Sequence, residues 1–217
     1  MANEIDTRCR LCLVMPAGGD VEASAGMLAE ALSGGDVASL IIAGNPDDPA
    51  GLEAKAEAMV PLAHARGVAA LIHNDIRIAQ RTGADGVHID SGPVDLAAAV
   101  AALHPNRIAG AAGVKSRHDA LLAGEAEPDY VFFGRLDGDG GDRIFAPALE
   151  LAAWWSSITV IPALVMGARS LASVGEAARA GIPFVALSRA VWGHERGPAT
   201  AVAEACRHLD AVAEAVT

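Results

Sequence analysis

Two rhythms alternate along the chain. Short runs crowded with apolar residues give way to longer stretches in which alanine, leucine and valine recur every three or four positions. The first rhythm predicts buried strands and the second amphipathic helices. Strands are expected at 10–15, 37–43, 68–73, 86–89, 107–110, 130–133, 159–165 and 183–187. Helices are expected at 21–32, 49–66, 76–82, 94–103, 117–123, 146–155, 171–180 and 200–216. In the last of these, Val202, Ala205, Leu209, Val212 and Val216 form one apolar stripe. Eight strand–helix units predict parallel strands with helical crossovers, and so a single-domain (β/α)8 TIM barrel spanning residues 1–217. The competing architecture is an open doubly wound sheet. It usually needs fewer strands, and no G-x-G-x-x-G follows the first strand here.

A barrel of this kind carries its chemistry where the strands end and the following loops begin. Those ends hold Asn74-Asp75 after the third strand, and His88 and Asp90 in and after the fourth. Lys115 follows the fifth and Arg135 the sixth; Gly167 and Arg169 follow the seventh, and Ser188-Arg189 the eighth. Asp75 has two readings, a carboxylate for Mg2+ or a cap on the helix that follows. His88 is either a ligand contact or a core histidine bonded to a neighbouring loop. Gly167, Ser188 and Arg189 lie in the two loops that commonly hold phosphate in barrels. Trp154 and Trp155 are expected to anchor their helix to the barrel or to a neighbouring subunit, which leaves a homo-oligomer open. His104, His194 and His208 are read as solvated surface.

Composition narrows the partners. The chain is 52% hydrophobic but only 4% aromatic, so small aliphatic side chains must fill the core. No apolar run reaches the ~20 residues that cross a bilayer, which argues against a membrane partner. Residues 1–6 are polar and acidic, unlike a secretory signal, and a cytoplasmic location is the default. Three cysteines in such a chain are expected as reduced thiols. Cys9 and Cys12 lie three apart on a strand and so point to opposite faces, unlike a redox pair at a helix start. The net charge of −11, with Lys55 and Lys115 as the only lysines, leaves no basic stripe for nucleic acid.

Three segments then point to a family. "IHNDIRIAQRTGADGVHID" resembles the I-N-D…G-A-D-G-V-H-L stretch of the thiamine-phosphate synthase/TenI superfamily. "PDYVFFG" is similar to its A-D-Y-V-G-F-G, and "IPALVMGARSLASVGEAARAGIPFVALSRAVW" to its closing segment, in the same order. The resemblance implies a (β/α)8 barrel that joins hydroxymethylpyrimidine diphosphate to a thiazole phosphate, with Mg2+ assisting the release of diphosphate. By resemblance, Asp75 and Asp90 are the metal candidates. Asn74, His88, Gly167, Ser188 and Arg189 are the substrate-binding candidates, and Lys115 and Arg135 the catalytic ones.

The chain departs from the family at several points. The Q-x-R-x-K motif after the second strand is replaced by Ile42-Ala43-Gly44-Asn45-Pro46. The second metal aspartate falls at Gly92-Pro93, with Asp90 and Asp95 displaced from it. S-x-H-S becomes Gly113-Val114-Lys115-Ser116, and a threonine-rich loop becomes "RLDGDGGDRIF", with Asp137, Asp139 and Asp142. Synthase activity therefore requires Lys115, Arg135, Arg143 and Arg169 to replace lost cations. The alternative is a TenI-like or non-catalytic barrel that binds a phosphorylated small molecule. A Schiff-base aldolase would need a strand lysine, and none is predicted.

Overall fold

A strand buried on both faces must be mostly apolar, and the eight predicted strands meet that demand, with polar residues chiefly at their ends. In the computed structural model, which describes residues 8–138 and 140–216, they close into one parallel barrel in sequence order. The acidic segment 1–6 and Asp139 lie outside the described residues. Around the ring run β1 (Arg10–Met15), α1 (Val21–Ala31), β2 (Ser39–Ile42), α2 (Pro49–His64), β3 (Ala69–His73) and α3 (Ile76–Thr82). Next come β4 (Gly86–Ile89), α4 (Pro93–Leu103), β5 (Ile108–Val114), α5 (Arg117–Glu125), β6 (Tyr130–Phe133) and α6 (Ala146–Ile158). β7 (Ala163–Met166), a 3-10 turn at Leu171–Ser173, α7 (Val174–Arg179), β8 (Phe184–Leu187), α8 (Arg189–Trp192) and α9 (Pro198–Val216) complete it. The ring closes where Leu13 of β1 pairs with Leu187 of β8.

Alternation along each strand divides the core into two shells. Leu11, Leu13 and Met15 of β1 face outward with Ile72, Val87, Val131 and Val165, against the helices. Cys12, Val14, Ile41, Leu71, Tyr130, Phe132, Leu164, Met166 and Ala186 fill the interior. Cys9 and Cys12 accordingly fall in different shells, and burial pushes their thiols up to about 12 and about 11. In α9, Val202, Ala205 and Leu209 are buried, as the stripe predicted. Trp155 is buried against Phe133, while Arg117 lies 5.0 Å over the Trp154 ring, so the tryptophan pair anchors α6 to the barrel.

Element edges shift where local chemistry overrides the pattern. β5 continues past Gly110 to Val114, through Ala111-Ala112-Gly113, whose alanines and glycine have little strand propensity to mark it in the sequence. β7 starts at Ala163 rather than at 159, since Pro162 has no amide for the ladder. α6 extends through Ser156, whose hydroxyl bonds back to the Ala152 carbonyl at 2.9 Å.

Two contacts hold the loops at the C-terminal mouth. Lys55 on α2 is buried and donates from Nζ to the carbonyls of Pro16 (2.9 Å) and Gly18, tying the loop after β1. The Trp192 indole of α8 donates to the Val14 carbonyl of β1 at 2.7 Å. Among the described residues, no helix is long and apolar enough to cross a membrane.

Candidate active site

The rim over β3 and β4 is built from carboxylates and imidazoles. Asn74 takes a left-handed backbone (φ 54), a conformation asparagine tolerates better than most residues. It is fixed there by three bonds: its amide donates to the His88 carbonyl at 2.9 Å, its Nδ2 to Asp90 Oδ1 at 2.6 Å, and its Oδ1 accepts from the Asp90 amide at 2.9 Å. His73, unremarked in the sequence, brings Nε2 to 3.0 Å from the same Asp90 oxygen. Its Nδ1 accepts from the Gly44 amide at 3.4 Å, which assigns the imidazole proton to Nε2. The bond from His73, helped by Asn74, holds the Asp90 carboxyl down to about 2 against the opposing effect of burial. Asp75 caps α3, its Oδ1 accepting from the Ile78 amide at 2.7 Å.

His88 reaches inward from β4 and is fully buried. Its Nδ1 lies 2.8 Å from the Tyr130 hydroxyl, and its Nε2 has no partner among the described residues. Burial is the main cause, and repulsion from His73 the second, of a pKa held down to about 3. The core reading of His88 holds, with its partner on the strand β6 rather than in a loop, and the ring also lines a cleft.

That cleft, about 410 Å³, opens over β4 to β6 and brings together His88, Asp90, Lys115 and Arg135. β6 leaves the barrel at Gly134 (φ 119), where a Cβ would lie 2.7 Å from that of Met166. The turn swings Arg135 over the mouth, where Asp137 grips it through Nε and Nη2 at 3.0 and 2.7 Å. Arg135 in turn lowers the Asp137 carboxyl, with a smaller contribution from Arg189. The Lys115 side chain is exposed, and no acid pairs with its ammonium among the described residues; its amide donates to Asp119.

A second cleft of about 300 Å³ lies over β7 and β8, lined by Arg169, Arg189, His194 and Arg196 among others. Arg169 and Arg189 have no acidic partner among the described residues, while Arg196 pairs with Glu204 at 2.9 Å. The surface reading of His194 is thus corrected: the short α8 turns the chain so that it joins Arg189. Arg143, counted among the compensating cations, instead pairs with Glu176 of α7 at 3.1 Å. Ser188 is buried at the start of α8. The Gly167 amide donates to the Ala186 carbonyl at 2.8 Å, and the Ala168 amide to Ser173 Oγ at 3.0 Å. Those two amides are therefore engaged within the protein, and the arginine side chains are the groups left facing the cleft.

The loop after β2, where the resemblance placed cations, is occupied with itself. Asn45 Oδ1 accepts from the Asp47 amide at 3.1 Å, and Asp48 Oδ1 caps α2 by accepting from the Gly51 amide at 2.9 Å. The mouth thus has an acidic, hydrogen-bonded side over β2–β4 and a cationic side over β5–β8.

Residues 11–191 match the sequence pattern of the Thiamine monophosphate synthase family. The chain is 38% identical over 201 residues to the thiamine-phosphate synthase of Hyphomonas neptunium, covering 90% of this chain and 91% of that one. It is 36% identical over 201 residues to the thiamine-phosphate synthase of Rhodospirillum centenum, covering 91% and 96%. Among solved structures, the thiamine phosphate pyrophosphorylase of Pyrococcus furiosus superposes with a TM-score of 0.74 over 94% of this chain and 96% of that one. At 21% identity, that last likeness speaks for the fold.

Proposed function

Since the chain belongs to the thiamine monophosphate synthase family, we propose that it joins hydroxymethylpyrimidine diphosphate to a thiazole phosphate, forming thiamine phosphate and releasing diphosphate. The observation that carries this reading is the meeting of His88, Asp90, Lys115 and Arg135 in one cleft at the C-terminal mouth, beside a second cleft with unpaired arginines. The two clefts suit two phosphorylated substrates.

The reaction breaks a carbon–oxygen bond as diphosphate departs, and the thiazole nitrogen then attacks the pyrimidine carbon left behind. Charge accumulates on the leaving group, so the site must supply cations that are already in place. Lys115 and Arg135 meet that need over β5 and β6, with Asp137 holding the Arg135 guanidinium in one orientation. Arg169 and Arg189 take the thiazole phosphate over β7 and β8, with Ser188 and Gly167 shaping the floor between those loops. Asn74 keeps Asp90 turned toward the mouth, and His88 forms the base of the pyrimidine cleft.

Carboxylate oxygen of the kind Asp90 offers suits Mg2+ that substrate phosphates help to hold. Among the described residues, no three His, Cys, Asp or Glu side chains gather into a metal cage. Asp75 and Asp90 each engage Oδ1 within the protein, while Oδ2 of each makes no bond among the described residues. Asp90, which lines the cleft, would be the protein's contact with the ion, with Asp75 at the end of β3 as the further candidate. When bound, Mg2+ supplies positive charge to the departing diphosphate.

The direct test supplies purified protein with both substrates and Mg2+ and follows thiamine phosphate and diphosphate. Equal amounts of the two products are expected. Binding of thiazole phosphate without turnover, at high protein concentration, sinks the synthase reading in favour of a ligand-binding barrel.

A further inference from the structure

His88, Gly110 and Tyr130 occupy one row across three neighbouring strands, since His88 of β4 pairs with Gly110 of β5 and Gly110 pairs with Tyr130 of β6. All three positions point into the barrel. A Cβ at Gly110 would strike the Tyr130 ring and hydroxyl. The missing side chain is what lets the Tyr130 hydroxyl cross β5 and reach His88 Nδ1, 2.8 Å away.

The direction of that bond follows from counting donors and acceptors. Tyr130 is buried, and its hydroxyl has no other partner among the described residues. If Nδ1 carried the imidazole proton, the hydroxyl proton and the Nε2 lone pair would both be orphaned. If the hydroxyl donates to Nδ1, only one group is left over, the Nε2–H. Buried unpartnered polar groups are rare because each costs stability, and one that remains calls for a functional or bound-partner explanation. His88 lines the mouth cleft, whereas Tyr130 lies below it and lines a cavity at the opposite end of the barrel.

We propose that Tyr130 is a positioning residue: it touches no substrate, but through Nδ1 it fixes His88 as the Nε2–H tautomer, a donor matched to an uncharged acceptor such as a heteroaromatic ring nitrogen. This rests on the synthase reading above, in which a pyrimidine ring enters the His88 cleft. The anionic end of that substrate has Lys115 and Arg135 at the rim and does not need the histidine. An uncharged imidazole donor adds orientation without attracting a phosphate into the floor.

The test begins with the free full-length chain labelled with 15N-histidine, whose long-range proton–nitrogen correlations report the tautomer near neutral pH. Wild type is expected to show His88 as Nε2–H. Tyr130→Phe removes only the hydroxyl and is expected to lose that single tautomer. In the same variant, KM for hydroxymethylpyrimidine diphosphate rises roughly tenfold, the scale of one hydrogen bond, while kcat and KM for thiazole phosphate hold. Gly110→Ala displaces the Tyr130 ring with its hydroxyl retained and is expected to give the same pattern. The proposal is overturned by an Nδ1–H tautomer in wild type, by an unchanged tautomer in Tyr130→Phe, or by equal rises in both KM values. If Tyr130→Phe does not fold, the wild-type spectrum and Gly110→Ala decide. A wild-type chain that makes no thiamine phosphate overturns the synthase reading instead, and the tautomer in the free chain still decides the role of Tyr130.

Discussion

The two sides of the mouth differ in how their charged groups are held. Over β3 and β4, His73, Asn74 and Asp90 bond to one another, and Asp75 is fastened to its own helix. Over β7 and β8, Arg169 and Arg189 project without acidic partners into a shared cleft. Internal bonding sets geometry and lowers the Asp90 carboxyl, so that side is organised before any ligand arrives. The cationic side keeps its charge available for what binds. The contrast suggests that lost diphosphate contacts after β2 need not disable the site, because positive charge is concentrated on the opposite rim.

The sharpest way to break this contrast is to remove the free cations. Arg169→Ala combined with Arg189→Ala is expected to lower kcat/KM by on the order of 10²–10³, with little change in thermal stability, since both side chains are exposed. Near-normal steady-state kinetics in that variant would show that the basic cleft is not part of catalysis.

The second effect concerns His88, which lies beneath the boundary between the two sides. Unfolded, it takes up a proton at its ordinary pKa near 6.5, whereas in the fold burial holds it to about 3. Between those values the unfolded chain binds more protons, so stability is present above pH ~6.5 and falls as pH drops, by at most ~1.4 kcal/mol per pH unit. Asp90 adds a loss in the same direction at lower pH, from its ordinary carboxylate value toward about 2. Denaturant titrations of His88→Gln across pH 6.5 to 4 should give a flatter slope than wild type. Parallel slopes would mean that the imidazole is charged in the fold.

The smallest effect separates the two readings of Asp75. Asp75→Ala removes the cap and is expected to cost ~1 kcal/mol in stability. It should also weaken the apparent affinity for Mg2+ by roughly tenfold or more in a rate titration. Asp75→Ser keeps a capping hydroxyl and should recover the stability but not the metal response. Recovery of both would reduce Asp75 to a cap.

The fold was largely legible because a parallel barrel needs eight apolar runs, marked by small aliphatic residues in most and by aromatic ones in β6. Less visible were edges set by single groups, such as the missing amide of Pro162. In the site, His88, Asp90, Lys115 and Arg135 could be named from strand ends alone. His73 could have been found as well, since alternation puts it on the same inward face as Leu71. Arg196 and His194 could not, because only the turn made by α8 brings that loop back over the mouth. The pairing of Arg143 with Glu176 was equally hidden, as it joins residues 33 apart in the chain.

The indole bond from Trp192 to Val14 ties the basic loop to the first strand, across the seam where the barrel closes. An anion held by Arg189 would therefore sit on a loop already fastened to β1. Filling that cleft should lock the whole cylinder, so that a bound phosphate delays heat unfolding of strands it never meets.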